Sequence, residues 1–270
     1  MSVAFVDLDH VKLRYGGNAD APLALDETSM KIDKGEFVAV VGPSGCGKSS
    51  LLKLVSGLMP PSEGNVIVND REVSGPLKIV GMAFQNPTLL PWRTTLDNVL
   101  LPLEIVEPYR GRMRGERKAF EEKAMQLLAK VGLGGFERKF PWELSGGMQQ
   151  RASLCRSLIH EPDLLMLDEP FGALDAFTRE ELWDILQGLW MERPFTVILV
   201  THDLREAVYL ADTIYVMSNR PGKILLRQQN PLPRPRDQET TFRQDFIDLV
   251  HALKNQIRVV RSTSSEGGQS

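Results

Sequence analysis

The chain has 270 residues, 42% of them apolar and 25% charged. That is the make-up of an ordinary globular protein of one or two domains, and it excludes a wholly disordered chain. Its 32 basic and 35 acidic residues leave a formal charge of −3, which supplies no global attraction for nucleic acid. Cys46 and Cys155 are the two cysteines, too few for a disulfide framework and suited to a reducing compartment. The first residues lack the basic-then-apolar pattern of a secretory signal, and no apolar run approaches the roughly 18 residues of a membrane helix.

Short β-branched runs alternate with helical patterns, which predicts an α/β fold. Val3 to Leu13 and Thr28 to Ile32 read as early antiparallel strands, and Glu36 to Val41 as a compact apolar strand. Lys48 to Ser56 carries Leu51, Leu52 and Val55 at helical spacing, with Gly57 as the stop. From about 87 to 160 the pattern is mainly helical, including a helix predicted from Glu116 to Val131, and reads as an inserted helical subdomain. Leu164 to Asp168 and Thr196 to Thr201 read as buried strands. Thr178 and Glu181 have the spacing of a capping box, so a helix is expected to start there. Thr213 to Met217 and Lys223 to Arg227 form a closing hairpin. These elements make a domain over 1–230. A carboxy-terminal extension over 231–270 holds a Pro-rich connector, a helical stripe of Phe242, Phe246, Leu249, Val250, Leu253 and Ile257, and a disordered end from Ser262.

The string Gly42-Pro43-Ser44-Gly45-Cys46-Gly47-Lys48-Ser49 fits G-x-x-x-x-G-K-[ST]. Its fixed positions arise by chance in such a chain about one time in a hundred, and the flanking strand and helix lower that further. The glycines let successive N–H groups turn toward phosphate oxygens. The helix that follows adds its positive end. Lys48 brings a point charge to the β- and γ-phosphates, and the Ser49 hydroxyl can ligate Mg²⁺. Cys46 lies in this electropositive loop, where a thiol pKa can fall. The expectation is that maleimide labelling of this thiol blocks hydrolysis and that MgATP protects it.

Leu164 to Asp168 ends in Asp168-Glu169. In doubly wound sheets ligands lie beyond the carboxyl ends of strands, so Asp168 is a candidate Mg²⁺ ligand and Glu169 a candidate to polarise an attacking water. His202 directly follows the strand Thr196 to Thr201 and is placed to bond a γ-phosphate or hold the water. Leu144-Ser145-Gly146-Gly147-Met148-Gln149 opens another helix with a hydroxyl and free N–H groups, which is a second anion site by the same physics. A head-to-tail dimer, each copy closing the other's nucleotide, accounts for both sites.

With these strings in order, the chain resembles the ATP-binding cassette (ABC) ATPases from about Val3 to Gln228. The resemblance implies an α/β P-loop NTPase fold: a RecA-like core with an antiparallel β subdomain and an inserted helical subdomain. It implies ATP and Mg²⁺ as ligands and hydrolysis of ATP to ADP and phosphate. It assigns the phosphate loop to Gly42 through Ser49 with Ser50 following, the signature to Ser145, Gly146, Gly147 and Gln149, the metal-site acid to Asp168, the general base to Glu169 and the switch histidine to His202. Gln85 matches the glutamine that meets Mg²⁺ and water, Asp175 in Ala173-Leu174-Asp175 the loop that crosses a dimer interface, and Tyr15 the ring that stacks on adenine.

Within that family, Asn86-Pro87-Thr88-Leu89-Leu90-Pro91-Trp92, Asp97-Asn98-Val99 and Asn219-Arg220-Pro221-Gly222-Lys223-Ile224 resemble the ATPase subunits of nitrate/sulfonate/taurine-type importers. This implies a homodimer on the cytoplasmic face of the inner membrane, separate permease subunits, a periplasmic or lipoprotein solute-binding protein, and no nucleic acid. A soluble cassette ATPase without a transporter and an exporter subunit are the alternatives. The apolar Leu89, Leu90, Pro91 and Trp92 read as the floor of a permease groove or as packing of the helical subdomain.

Overall fold

The computed structural model describes residues 4–16 and 21–266, with side chains described as far as Arg258. In chain order the elements are β1 (Val6–Arg14), β2 (Leu23–Ile32), β3 (Phe37–Val41), α1 (Lys48–Val55), β4 (Glu63–Val68), β5 (Arg71–Glu72), β6 (Val80–Ala83), α2 (Thr95–Ile105) and α3 (Tyr109–Lys130). Then come α4 (Gly146–Leu158), β7 (Leu164–Asp168), α5 (Ala176–Glu192), β8 (Thr196–Thr201), α6 (Leu204–Leu210), β9 (Thr213–Met217), β10 (Ile224–Gln229) and α7 (Gln244–Glu266). They form two compact units, residues up to 77 with those from 194 onward, and residues 78–193.

In the first unit, an antiparallel sheet runs in the order β2-β1-β4-β5. Beside it, β3 pairs in parallel with β8 and β9, and β9 pairs antiparallel with β10. Every residue of β3, β8 and β9 is buried, as strands covered on both faces require, and their β-branched runs suit that position. The register sets Val41 opposite Thr201, so Gly42 and His202 are the next residues out at the same carboxyl edge. Val3 of the expected first strand lies outside the described residues.

In the second unit, β6 and β7 are parallel with Ala83 opposite Leu167. Gln85 and Glu169 each lie two residues beyond that pair, at the carboxyl ends of neighbouring strands. The helices pack around Val99, Leu103, Phe120, Leu128, Ala152 and Ile159. The predicted start of a helix at Glu116 is an interior irregularity instead. The helix begins at Tyr109, and the backbone leaves helical values at Glu116 (φ −117°, ψ 15°). The basic residues of this stretch are partly paired, Arg112 with Glu116 and Arg117 with Glu121 and Asp97.

The start of α5 also differs from expectation. Asp175, not Thr178, is the cap, accepting from the Thr178 N–H at 3.1 Å and the Thr178 hydroxyl at 2.7 Å. Glu181 is then free of capping and pairs with Arg151. The Pro-rich connector packs on the domain: Leu232 is buried, and so is Arg236 at 2% exposure. The Arg236 guanidinium donates to the carbonyls of Val208, Tyr209 and Ala211, oxygens the end of α6 leaves without helical partners. Burial pushes its pKa down to about 10. Phe242 leaves the predicted apolar stripe, because it sits in a 3₁₀ turn over Glu239–Phe242 and is exposed. Helix α7 continues to Glu266, past the Ser262 where order was expected to end; residues 267–270 lie outside the described ones.

Candidate functional site

In the first unit the loop 42–47 leaves buried β3 and turns into α1. Gly45 (φ 77°) and Gly47 (φ 109°) have left-handed backbone that side-chain-bearing residues rarely adopt. At Gly47 space forbids a side chain as well: a Cβ would lie 2.7 Å from Leu25 Cδ2 and 2.8 Å from the Ala24 carbonyl oxygen. Helix α1 therefore starts on a cap residue with no side-chain oxygen, and its first turn holds no acidic residue. By contrast, α2 has Asp97 and α6 has Glu206 in the first turn. The positive end of α1 is thus left for an external anion. Lys48, 5% exposed, donates its ammonium protons to the Gly42 and Pro43 carbonyls, both at 3.0 Å, which holds its charge inside the loop.

Ser44 and Ser49 are exposed and Ser50 is buried. The Tyr15 hydroxyl lies 2.8 Å from the Ser50 hydroxyl, and Lys53 Nζ is 6.0 Å from the Tyr15 ring centre. The half-open Tyr15 ring is tied to the first turn of α1. Cys46 is 1% exposed, so the expectation of maleimide labelling gives way to a shielded thiol. Gly222, quoted above only as part of a family string, has a local role too: a Cβ there would sit 2.1 Å from the Cys46 carbonyl oxygen. At the neighbouring edge His202 is exposed, and Asp203 beside it caps α6 by accepting from the Arg205 and Glu206 N–H groups.

In the second unit Asp168 and Glu169 are half-buried at the end of β7. Glu169 has φ 46°, a left-handed backbone unusual for glutamate and typical of constrained functional positions. Gln85 is exposed, and α4 grips its loop on both sides. Gln150 donates to the Phe84 carbonyl at 3.1 Å, and Arg156 to the Pro87 carbonyl at 2.7 Å and the Thr88 carbonyl at 2.9 Å. Sequence reading missed Gln150 and Arg156. Their position about one and nearly three turns into a long helical pattern gave no sign of this use.

Ser145 caps α4, accepting from the Met148 N–H at 3.3 Å, and the first turn of α4 holds no acidic residue. Ser145, Gly146, Gly147, Arg151, Asp175 and Thr178 line a cavity of about 550 Å³. Gln149 is not in that wall. Its amide donates to the Pro141 and Leu144 carbonyls, which fixes the turn that presents Ser145. The Thr178 hydroxyl and N–H hold the Asp175 carboxyl below its ordinary range, so it is anionic at neutral pH.

A strand–glycine loop–helix with a buried lysine, a strand ending in Asp-Glu and a second helix start capped by serine are the features of an ATP-binding P-loop ATPase. The family model described as ABC transporter matches residues 25–172. The aliphatic sulfonates import ATP-binding protein SsuB of Bacillus licheniformis is 43% identical over 224 residues, 82% of this chain and 84% of that one. The taurine import ATP-binding protein TauB of Yersinia pestis is 45% identical over 204 residues, 76% and 77% of the two chains. Among solved structures, a dimeric ATP-binding cassette in a post-hydrolysis state with ADP and Pi aligns at a TM-score of 0.74 and 33% identity, covering 84% of this chain and all of that one. The chain belongs to the ABC transporter family, and it is an ATPase whose hydrolysis of ATP is coupled to transport.

Proposed function

We propose that this chain is the ATP-hydrolysing subunit of an importer for a small sulfonate- or taurine-like anion, working as a homodimer against separate permease subunits at the cytoplasmic face of the inner membrane. The observation that carries the reading is two glycine-bearing helix starts in one chain whose first turns hold no acidic residue, one after the loop 42–47 and one at Ser145, Gly146 and Gly147. Neither SsuB nor TauB is named for export or for a non-transport role. A periplasmic or lipoprotein solute-binding protein completes such an import system.

In this reading the loop N–H groups and Lys48 bind the β- and γ-phosphates, and Tyr15 stacks on the base. Glu169 takes a proton from the attacking water, while His202 and Gln85 orient the water and the leaving phosphoryl group. Ser145 and Gly147 of the second copy close over the terminal phosphate, and Asp175 meets the opposing copy. Among the described residues no cluster of three or more His, Cys, Asp or Glu could cage a metal. The Ser49 hydroxyl, the Asp168 carboxylate and the Gln85 amide are hard oxygen donors of the kind Mg²⁺ accepts together with phosphate oxygens. Bound there, the ion would offset negative charge on the β- and γ-phosphates. Hydrolysis then removes the ligand the two copies share. A ligand moves an equilibrium only through its different affinity for the two states, and the γ-phosphate supplies that difference.

The test is a variant with Ser145→Ala and Gly147→Val, in which the new side chain presses on Thr178 Cγ2, 2.8 Å from the Cβ position. Turnover is expected to fall about 100-fold or more, with nucleotide binding by a single copy retained. Unchanged turnover contradicts the shared site.

The docking surface is divided. Leu89 packs on the helical core, whereas Trp92 is 71% exposed. A buried Trp anchor at an interface is worth about 2 kcal/mol. Trp92→Ala is therefore expected to weaken permease capture roughly 30-fold and reduce transport, with basal ATPase unchanged. Unaltered capture and transport would remove Trp92 from the groove.

A further inference from the structure

The carboxy-terminal helix α7 reaches the phosphate loop. It packs against α6, Phe246 and Leu253 are buried, and the Arg205 guanidinium of α6 lies 5.7 Å from the Phe246 ring centre. Arg236 and Arg234 fasten the preceding connector to the end of α6 and to Asp212. Directly after Leu253, α7 borders a cavity of about 450 Å³ whose walls include Gly42, Pro43, Ser44, His202, Lys254 and Arg258.

Among the described residues no carboxylate lines this cavity, and the fixed charges there are Lys254 and Arg258 of α7. Lys254 and Arg258 stand four residues apart, so they are neighbours on one helix face. Both are exposed, and among the described residues neither forms an ion pair, whereas Lys12, Lys31, Lys223, Arg234 and Arg243 each sit on a carboxylate. Two unengaged cations facing the strand end of a phosphate loop raise the local potential for an anion of high charge density. Their place is beside Ser44 and His202, which puts them at the end of the loop proposed to hold the terminal phosphate.

We propose that α7 is a working part of the nucleotide site: Lys254 and Arg258 form a second, cationic wall that engages the terminal phosphate of a nucleoside triphosphate and favours it over the diphosphate. This rests on the reading of residues 42–49 as the nucleotide site. Because both side chains are solvated and flexible, the contribution of each is modest and screened by salt.

The test is equilibrium titration of the full chain, with magnesium, using the β,γ-imido analogue of ATP and, separately, ADP. Lys254→Ala with Arg258→Ala is expected to weaken the triphosphate analogue about five-fold to ten-fold at low ionic strength. ADP affinity should change less than about two-fold, and the difference should shrink at high salt. The exchange Lys254→Arg with Arg258→Lys keeps both charges and should bind like the unaltered chain. Thermal unfolding midpoints should match across the set, since neither side chain is buried. Lys48→Ala is the reference for the loop. If it abolishes binding while the double alanine variant binds as before, or loses both nucleotides equally, the cationic wall is overturned and the loop reading stands. If Lys48→Ala also binds normally, the loop reading fails and the wall with it.

Discussion

Replacing Glu169 by glutamine lowers ATP hydrolysis by about 10²–10⁴-fold, the range that a positioned general base contributes, while MgATP still binds. Glutamine keeps the size and hydrogen-bonding capacity of the side chain but cannot accept the water proton. The neighbouring geometry argues for this residue rather than Asp168. Asp168 ends the regular strand β7, whereas Glu169 turns out of it with a left-handed backbone. That turn is held by its own carbonyl, which accepts from the Gly172 N–H at 3.2 Å, so the substitution does not disturb the strand. Steady-state phosphate release beside equilibrium nucleotide binding is the measurement. Loss of both together would mean a structural role, and near-normal turnover would assign the base elsewhere.

Lys48→Ala is expected to lower kcat/KM for ATP by about 10²–10³-fold, comparable to removal of one preorganised donor at a developing charge. Two effects combine. The ammonium that faces phosphate is lost, and so are two hydrogen bonds, to the Gly42 and Pro43 carbonyls, that hold the loop's curve. Both belong to the ammonium, and Lys48→Met separates them from packing: it keeps the buried stem but neither the charge nor the hydrogen bonds. If the methionine variant is as impaired as the alanine variant, the ammonium dominates. If methionine restores activity, the role is packing and the phosphate assignment fails. The measurement is kcat/KM from initial rates over a range of ATP concentrations.

The phosphate loop and the Ser145 turn were legible because each is contiguous and its geometry is set by backbone and glycine. The strand before Gly42 and the helix after Lys48 were legible for the same local reason: a wholly buried β-branched run and a 3.6-residue stripe. What escaped depends on partners far along the chain. A capping-box spacing at Thr178 and Glu181 competed with a stronger cap at Asp175, and only the fold brings Arg151 to Glu181. The Pro-rich connector has the composition of a spacer, yet Arg236 is buried because the end of α6 offers it carbonyls. Phe242 matched the period of α7 but falls in the turn before it. Arg156 carries no local signal, because its carbonyl partners lie nearly seventy residues earlier. Cys46 was read by its electrostatic surroundings alone; its burial follows from packing that local sequence does not contain.

The most direct measurement is the mass in solution of the Glu169→Gln chain with MgATP, by light scattering or sedimentation. A stable pair of chains that comes apart when ADP replaces ATP is the predicted result. A single-chain mass under both nucleotides, with ATP demonstrably bound, would contradict the claim that two copies hold one terminal phosphate between them.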